Sequence, residues 1–75
     1  MAKNGIYSID VNWEDKDEAI KVVMDASKRG KCQLGDIESY NNDGIRITTI
    51  YLENCDKNTW FEVERLMREE GIRVL

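Results

Sequence analysis

The segment Gly44 to Leu52, GIRITTIYL, decides how the rest of this chain has to fold. β-Branched and aromatic side chains crowd this segment, which makes it the most strand-prone part of the sequence. Apolar residues occur on both of its alternating faces, with Ile45 and Ile47 on one and Ile50 on the other. We therefore expect this strand at the centre of a sheet, with helices covering one of its faces.

The composition is typical of a small globular domain. The chain has 75 residues, of which 41% are hydrophobic and 35% are charged, and the charges are interspersed. This predicts a single domain over residues 1–75. No apolar stretch has the length of a signal peptide or a membrane span, which predicts a cytoplasmic protein without membrane association.

Charge and residue usage argue against several activities. The net charge is −4, whereas nucleic-acid binding depends on clustered Lys and Arg. The sequence has no His and no CxxC spacing, so neither a zinc site nor any other cofactor is expected. No nucleophile lies beside a recognisable base, which predicts that the protein is not an enzyme. Cys32 and Cys55 are expected to be free thiols without an assigned role, although a disulfide between them stays open.

The segment before the central strand predicts a strand followed by a helix. Residues 6–13 alternate between polar and apolar side chains, and their inward face would consist of Tyr7, Ile9, Val11 and Trp13. Asp15 and Glu18 predict a capping-box start for the helix. The helix is expected to run to about Arg29 and to end at Gly30.

A second strand and a tight turn lead into the central strand. Residues 31–40 change their alternation at Gly35 and Asp36, which predicts a β-bulge. Residues 41–44, NNDG, predict a turn that joins the two strands as a hairpin.

The chain after the central strand predicts a second helix and a short terminal strand. The helix is expected over about residues 57–70, with Asp56 or Asn58 as its N-cap. Gly71 would end it, with Ile72 making the hydrophobic contact of a Schellman turn. Residues 72–75 are then expected to form a fourth strand.

This order of elements predicts an α+β fold with ferredoxin-like βαββαβ topology. The antiparallel sheet would have four strands in the order 4-1-3-2, with both helices on one face, and the other face would be bare. Because either parity of the central strand leaves apolar area there, we expect self-association or a protein partner. The alternative, that scattered apolar residues need no explanation, stays open. The candidate interface residues are Ile6, Ser8, Ile45, Ile47, Tyr51 and Phe61.

Gly35, Asp36 and Ile37, after a helix that ends in a glycine, resemble the Gly-Asn-Ile-like segment of ACT domains. The terminal residues 71–74 also resemble the close of such domains. The resemblance implies a regulatory module that pairs side by side and binds an amino acid or similar effector. That ligand would lie near the loop at Asp15 and the segment Gly35, Asp36 and Ile37. The loop after the first strand carries acidic residues where ACT domains commonly have a glycine.

The sequence therefore predicts a non-enzymatic interaction or regulatory module that acts through its sheet face or an edge, as a homodimer. Two other hypotheses stay open. One is an ACT-like sensor of a small-molecule effector. The other is a small acidic inhibitor or adaptor, of the kind that viruses encode, that binds a host protein.

Overall fold

The computed structural model describes residues 5–75, which form one antiparallel sheet and a layer of two helices. Residues 1–4 of the predicted domain lie outside the described residues. A short 3-10 helix, Trp13–Asp15, joins the first strand to the first helix. The strands are β1 (Gly5–Asn12), β2 (Gln33–Asn42) and β3 (Ile45–Cys55), and the helices are α1 (Lys16–Lys28) and α2 (Lys57–Glu69).

The predicted α+β class agrees with this structure, but the predicted four-stranded ferredoxin-like sheet is wrong. The described residues form a sheet of three strands in the order β1-β3-β2, so β3 is central and β1 lies at an edge. The C-terminal segment makes only one isolated antiparallel bridge to β1, between Val74 and Val11. Ile72 is buried in the core beneath the end of α2, so only the last three residues can extend beside β1.

The hairpin between β2 and β3 confirms the predicted turn and the predicted bulge. Asp43 and Gly44 have φ angles of 52° and 80°, and two positive values are typical of a two-residue type I′ turn. The register between β2 and β3 shifts by one residue between Leu34 and Ile37. Gly35 and Asp36 together lie opposite Tyr51, so β2 has one extra residue where the change in alternation predicts it.

The sequence predicted the end of α2 correctly but not the start of α1. Gly71 has a φ of 81°, and Ile72 N–H donates to Met67 O at 2.9 Å, which confirms the Schellman turn. The predicted capping box at Asp15 is wrong, because its carboxylate makes no bond to the first turn of α1. Asp15 Oδ2 instead accepts a long hydrogen bond from Arg73 N–H, at 3.4 Å.

Asp56 is the N-cap of α2, which settles the alternative that the sequence leaves open. Its Oδ1 accepts from Thr59 N–H at 2.7 Å. Hydrogen bonding to Thr59 lowers the pKa of the Asp56 carboxyl below its ordinary value. This cap fixes the first turn of α2, which carries Trp60 towards β1.

The core lies between the sheet and the helices. Tyr7, Ile9 and Val11 face it as predicted, whereas Trp13 lies in the 3-10 helix, where Lys16 Nζ and Arg46 Cζ lie 4.1 and 4.4 Å from its ring centroid. α1 packs mainly against β2, and α2 packs against β1 and β3. The buried core residues are Ile9, Val11, Ala19, Val23, Ala26, Cys32, Ile50, Leu52, Cys55, Val63, Met67 and Ile72.

Candidate interaction site on the sheet

The register of the sheet defines which residues of β3 face away from the helices. Thr48, Ile50 and Leu52 are fully buried on the helix side. The other parity, with Ile45, Ile47, Thr49 and Tyr51, therefore faces away from the helices. We call this side of the sheet the open face.

Side-chain hydrogen bonds order the middle of the open face. Asp10 and Glu38 flank Thr49 on the two neighbouring strands. Thr49 Oγ1 donates to Asp10 Oδ1 at 2.6 Å, and Tyr51 O–H donates to Glu38 Oε2 at 3.3 Å. The Glu38 carboxylate is the main cause of a raised pKa for the Tyr51 hydroxyl. This part of the open face is polar and acidic, not apolar.

The predicted interface residues fall into two groups. Ser8 and Tyr51 pair directly across β1 and β3, and Ile45 and Ile47 follow on the same face of β3. Ile47 is only 8% exposed, so little of it is free to contact a partner. Ile6, 70% exposed, precedes them with the parity of Ser8. Phe61 lies apart from this group, on α2 in the helix layer, where its ring packs against Trp60.

The predicted ligand residues do not meet. Gly35 and Asp36 lie beside Tyr51, in the part of the sheet where β1 contributes Ser8. Asp15 follows the end of β1, and that end, Asn12, lies four residues beyond Ser8 along the strand. Four strand residues span about 13 Å, so the loop at Asp15 and the Gly35 to Ile37 segment form no common pocket.

The two edges of the sheet differ in how their backbone groups are satisfied. In a two-residue hairpin the flanking pair is hydrogen-bonded, and the pattern then alternates along the strands. The register therefore directs the outward N–H and C=O groups of β1 to Ser8 and Asp10, and those of β2 to Ile37, Ser39 and Asn41.

The outward groups of β1 are covered by other parts of the chain. Trp60 Nε1–H donates to Ser8 O at 3.0 Å, and Leu75 N–H donates to Asp10 O at 2.8 Å. The Trp60 ring also stacks on Tyr7, with ring centroids 5.4 Å apart. Both bonds go to residues that the register marks as outward-facing, which supports the assignment.

No described strand lies beyond β2, so its outward edge is unpaired. Every residue from Asp36 to Arg46 is exposed, which includes the end of β2, the turn and the start of β3. Neither Lys nor Pro occurs in β2, although these residues commonly protect edge strands from pairing. We call the outward side of residues 37–42 the β2 edge.

Apolar side chains border the β2 edge on both faces of the sheet. Ile37 is 42% exposed on the helix side, and Tyr40 is 43% exposed on the open face. Met24 of α1 is 44% exposed. Val22 and Asp25 line the groove towards α2, and Met24 follows Val22 by about 200° around the helix. Met24 therefore lies on the flank of α1 above the outer side of β2.

The strands carry an excess of negative charge. Asp10, Asp36, Glu38 and Glu53 are their acidic residues, and the only cation is Arg46. Arg46 lies over the Trp13 ring at the far end of β3. None of the four carboxylates forms an ion pair with a described Lys or Arg.

The two cysteines belong to the core. Cys32 and Cys55 are both buried and both free. Burial raises the pKa of both thiols, to about 11 for Cys55. Because the thiolate is the reactive form, these thiols are poorly suited to chemistry.

Neither α1 nor α2 is long and apolar enough to cross a membrane, within residues 5–75. No family model, curated protein or solved structure matches the chain. The resemblance to ACT domains therefore stays a prediction.

Sequence reasoning did not single out the β2 edge. It named Ile37 as a ligand residue and left out Ser39, Tyr40, Asn41 and Met24. The predicted order 4-1-3-2 placed this strand at an edge, but alternation of side chains reports only on the two faces of a strand. It could not show that Trp60 and the C-terminal segment cover the β1 edge while the β2 edge has no described neighbour. The absence of Lys and Pro between residues 33 and 42 is the one sequence signal that marks this strand.

Proposed function

We propose that this chain is a non-enzymatic protein-interaction module that binds a partner along the β2 edge. The observation that carries the proposal is the unpaired outward side of β2, which has no described neighbour. Unpaired N–H and C=O groups of an edge strand form a template for a further strand. Exposed Ile37 and Tyr40 add apolar area on both faces beside it.

Two kinds of occupant suit this edge. A second copy would pair antiparallel about a two-fold axis, and an axis at Tyr40 would set Glu38 opposite Asn42. This register avoids opposing like charges and gives the predicted homodimer. A strand from a different protein would use the same backbone groups.

The proposal is tested with two substitutions at one position. Asn41→Pro removes an outward N–H without removing a bond between β2 and β3, whereas Asn41→Ala keeps that N–H. Light scattering across a concentration series detects a dimer, and affinity capture detects a different partner. We expect Asn41→Pro to abolish the association and Asn41→Ala to preserve it.

Circular dichroism and thermal unfolding must show that the Asn41→Pro variant is folded. An association that survives in a folded Asn41→Pro variant contradicts the proposal, because the contact then lies on another surface.

A further inference from the structure

We infer that the occupant of the β2 edge is an extended segment of a different protein, with basic and apolar residues in alternation. This inference rests on the proposed function and adds the chemistry of the partner. The unpaired edge carries the inference, and the side chains on its two sides select the occupant.

The open-face side of the edge selects a cation. An added strand places every second side chain beside Glu38 and Tyr40 on this face. Glu38 is exposed and forms no ion pair with a described cation, and the Tyr40 ring offers a face for cation–π contact. Lys or Arg at these positions would form opposite-charge pairs across the strands.

The helix side of the edge selects an apolar residue. The alternate side chains of the added strand would lie beside Ile37, under the flank of α1 that carries Met24. Both side chains are more than two-fifths exposed in the free chain. Val or Ile at the alternate positions of the partner would cover them.

Charge disfavours a second copy at this edge. Even in the register centred on Tyr40, self-pairing leaves Asp36 and Glu38 without an opposite charge, because β2 contains no cation. It also joins two chains with a net charge of −4 each. A basic strand forms attractive pairs with the same residues, so the edge favours a partner of opposite charge.

The inference is tested with short acetylated and amidated peptides that alternate Val with one polar residue. The probes are KVKVKVK, QVQVQVQ and EVEVEVE, and KKVVVKK has the charge of the first without its alternation. Binding to the whole chain is measured by titration calorimetry at low and at moderate ionic strength. We expect KVKVKVK to bind at least about fivefold more tightly than QVQVQVQ. EVEVEVE and KKVVVKK should both bind more weakly than QVQVQVQ.

Variants of the chain locate the binding. Asn41→Pro should remove binding of KVKVKVK, and Asn41→Ala should keep it. Glu38→Lys should reverse the preference between KVKVKVK and EVEVEVE. Glu70→Lys adds the same charge at the end of α2, away from the edge and at a side chain that forms no ion pair with a described residue, and it should keep the preference for KVKVKVK.

The outcomes separate the inference from the proposed function. Equal binding of KVKVKVK and QVQVQVQ, with both lost in Asn41→Pro, overturns the basic partner and keeps the edge. Binding of KVKVKVK that Asn41→Pro leaves unchanged, or that KKVVVKK reproduces, overturns the inference, because attraction to the acidic chain as a whole then explains it. A dimer that Asn41→Pro dissociates, together with no peptide binding, also keeps the edge and replaces the basic partner by a second copy.

Discussion

The two edges of the sheet differ in whether other parts of the chain cover their outward backbone groups. At β1, the Trp60 indole and the C-terminal segment cover outward backbone groups. At β2, six consecutive residues beyond the bulge have an outward side that pairs with no strand among residues 5–75. Since an unpaired edge strand is a template for a further strand, this difference is the reason why we propose that a partner adds at β2.

One row of the sheet displays this difference directly. Ile9 of β1 and Ile37 of β2 flank Ile50 of β3, and all three point towards the helix layer. Ile9 and Ile50 are 1% and 0% exposed, whereas Ile37 is 42% exposed. The helix layer therefore closes over the β1 side of the sheet and leaves the outer side of β2 accessible.

The largest effect is expected from a charge placed at the two ends of this row. Ile9→Asp should abolish the cooperative folding of the domain, because it buries a carboxylate without a partner. Ile37→Asp should lower the free energy of unfolding by only about 1 kcal/mol, because its side chain can reach water. Thermal unfolding followed by circular dichroism distinguishes the two. Similar destabilisation by both substitutions would mean that the edges are equally buried.

A smaller effect is expected from removing the side chain that covers β1. Trp60→Phe keeps a ring against Tyr7 but loses the N–H that donates to Ser8 O. The loss of this hydrogen bond should cost about 1 kcal/mol, which lowers the melting temperature of a domain of this size by about 4–8 °C. Phe61→Leu is the matched control, because Phe61 is 51% exposed and should tolerate the change. An unchanged melting temperature for Trp60→Phe would show that the indole bond does not hold the β1 edge.

The cap at Asp56 links the β1 edge to pH, because it orders the turn that carries Trp60. The pKa of Asp56 is lower in the folded chain than its ordinary value of 3.8, because Thr59 donates to the carboxylate. The stabilisation is therefore present above that ordinary value and is lost as the pH falls through the folded pKa.

Thermal unfolding of the wild type, Asp56→Ala and Asp56→Asn, measured from neutral to acidic pH, tests the contribution of this cap. Asp56→Ala should have a lower melting temperature than the wild type at neutral pH. Asp56→Asn should stay close to the wild type there, because its amide oxygen can accept from Thr59, and it should lose less stability in acid. An identical acid dependence of the wild type and Asp56→Asn would assign the loss to other carboxylates.

The smallest effect is expected on the β2 side, at the bond between Tyr51 and Glu38. Glu38→Gln removes the charge that raises the pKa of Tyr51, so the tyrosine should ionise at lower pH than in the wild type. Ultraviolet absorbance during an alkaline titration measures this shift, with Tyr51→Phe to assign the signal. The melting temperature should change little, because Glu38 is exposed. If Glu38→Gln leaves the titration of Tyr51 unchanged, the Glu38 carboxylate does not raise the pKa of Tyr51.

Local signals predicted much of this fold because they depend on neighbouring residues. The type I′ turn at Asp43 and Gly44 and the Schellman turn at Gly71 follow from residues that adopt positive φ, and the bulge at Gly35 follows from a local change in alternation. The cap at Asp15 failed because its carboxylate reaches Arg73. That contact joins residues far apart in the sequence, so no local pattern could have revealed it.

The number of strands and the site could not be predicted in the same way. Residues 72–75 have the apolar alternation of a strand. In the structure, however, Ile72 is buried in the core at the end of α2, and only Val74 forms an isolated bridge to β1. The β2 edge is present with three or four strands, but the difference between the two edges depends on Trp60 and the terminal segment, which reach β1 from far along the sequence, whereas nothing described covers β2. The alternation of side chains predicted correctly that Tyr7, Ile9 and Val11 of β1 face the helices. It left undecided which side of the central strand faces them.

Amide hydrogen exchange measured by NMR, with and without KVKVKVK, tests the central claim most directly. In dilute free protein, the outward amides of Ser39 and Asn41 should exchange rapidly, and the inward amides of Glu38 and Tyr40 should exchange slowly. Addition of the peptide should slow exchange at Ser39 and Asn41. Slow exchange at these two amides in the free protein, or rapid exchange that the peptide leaves unchanged, would contradict the assignment of β2 as the open, partner-binding edge.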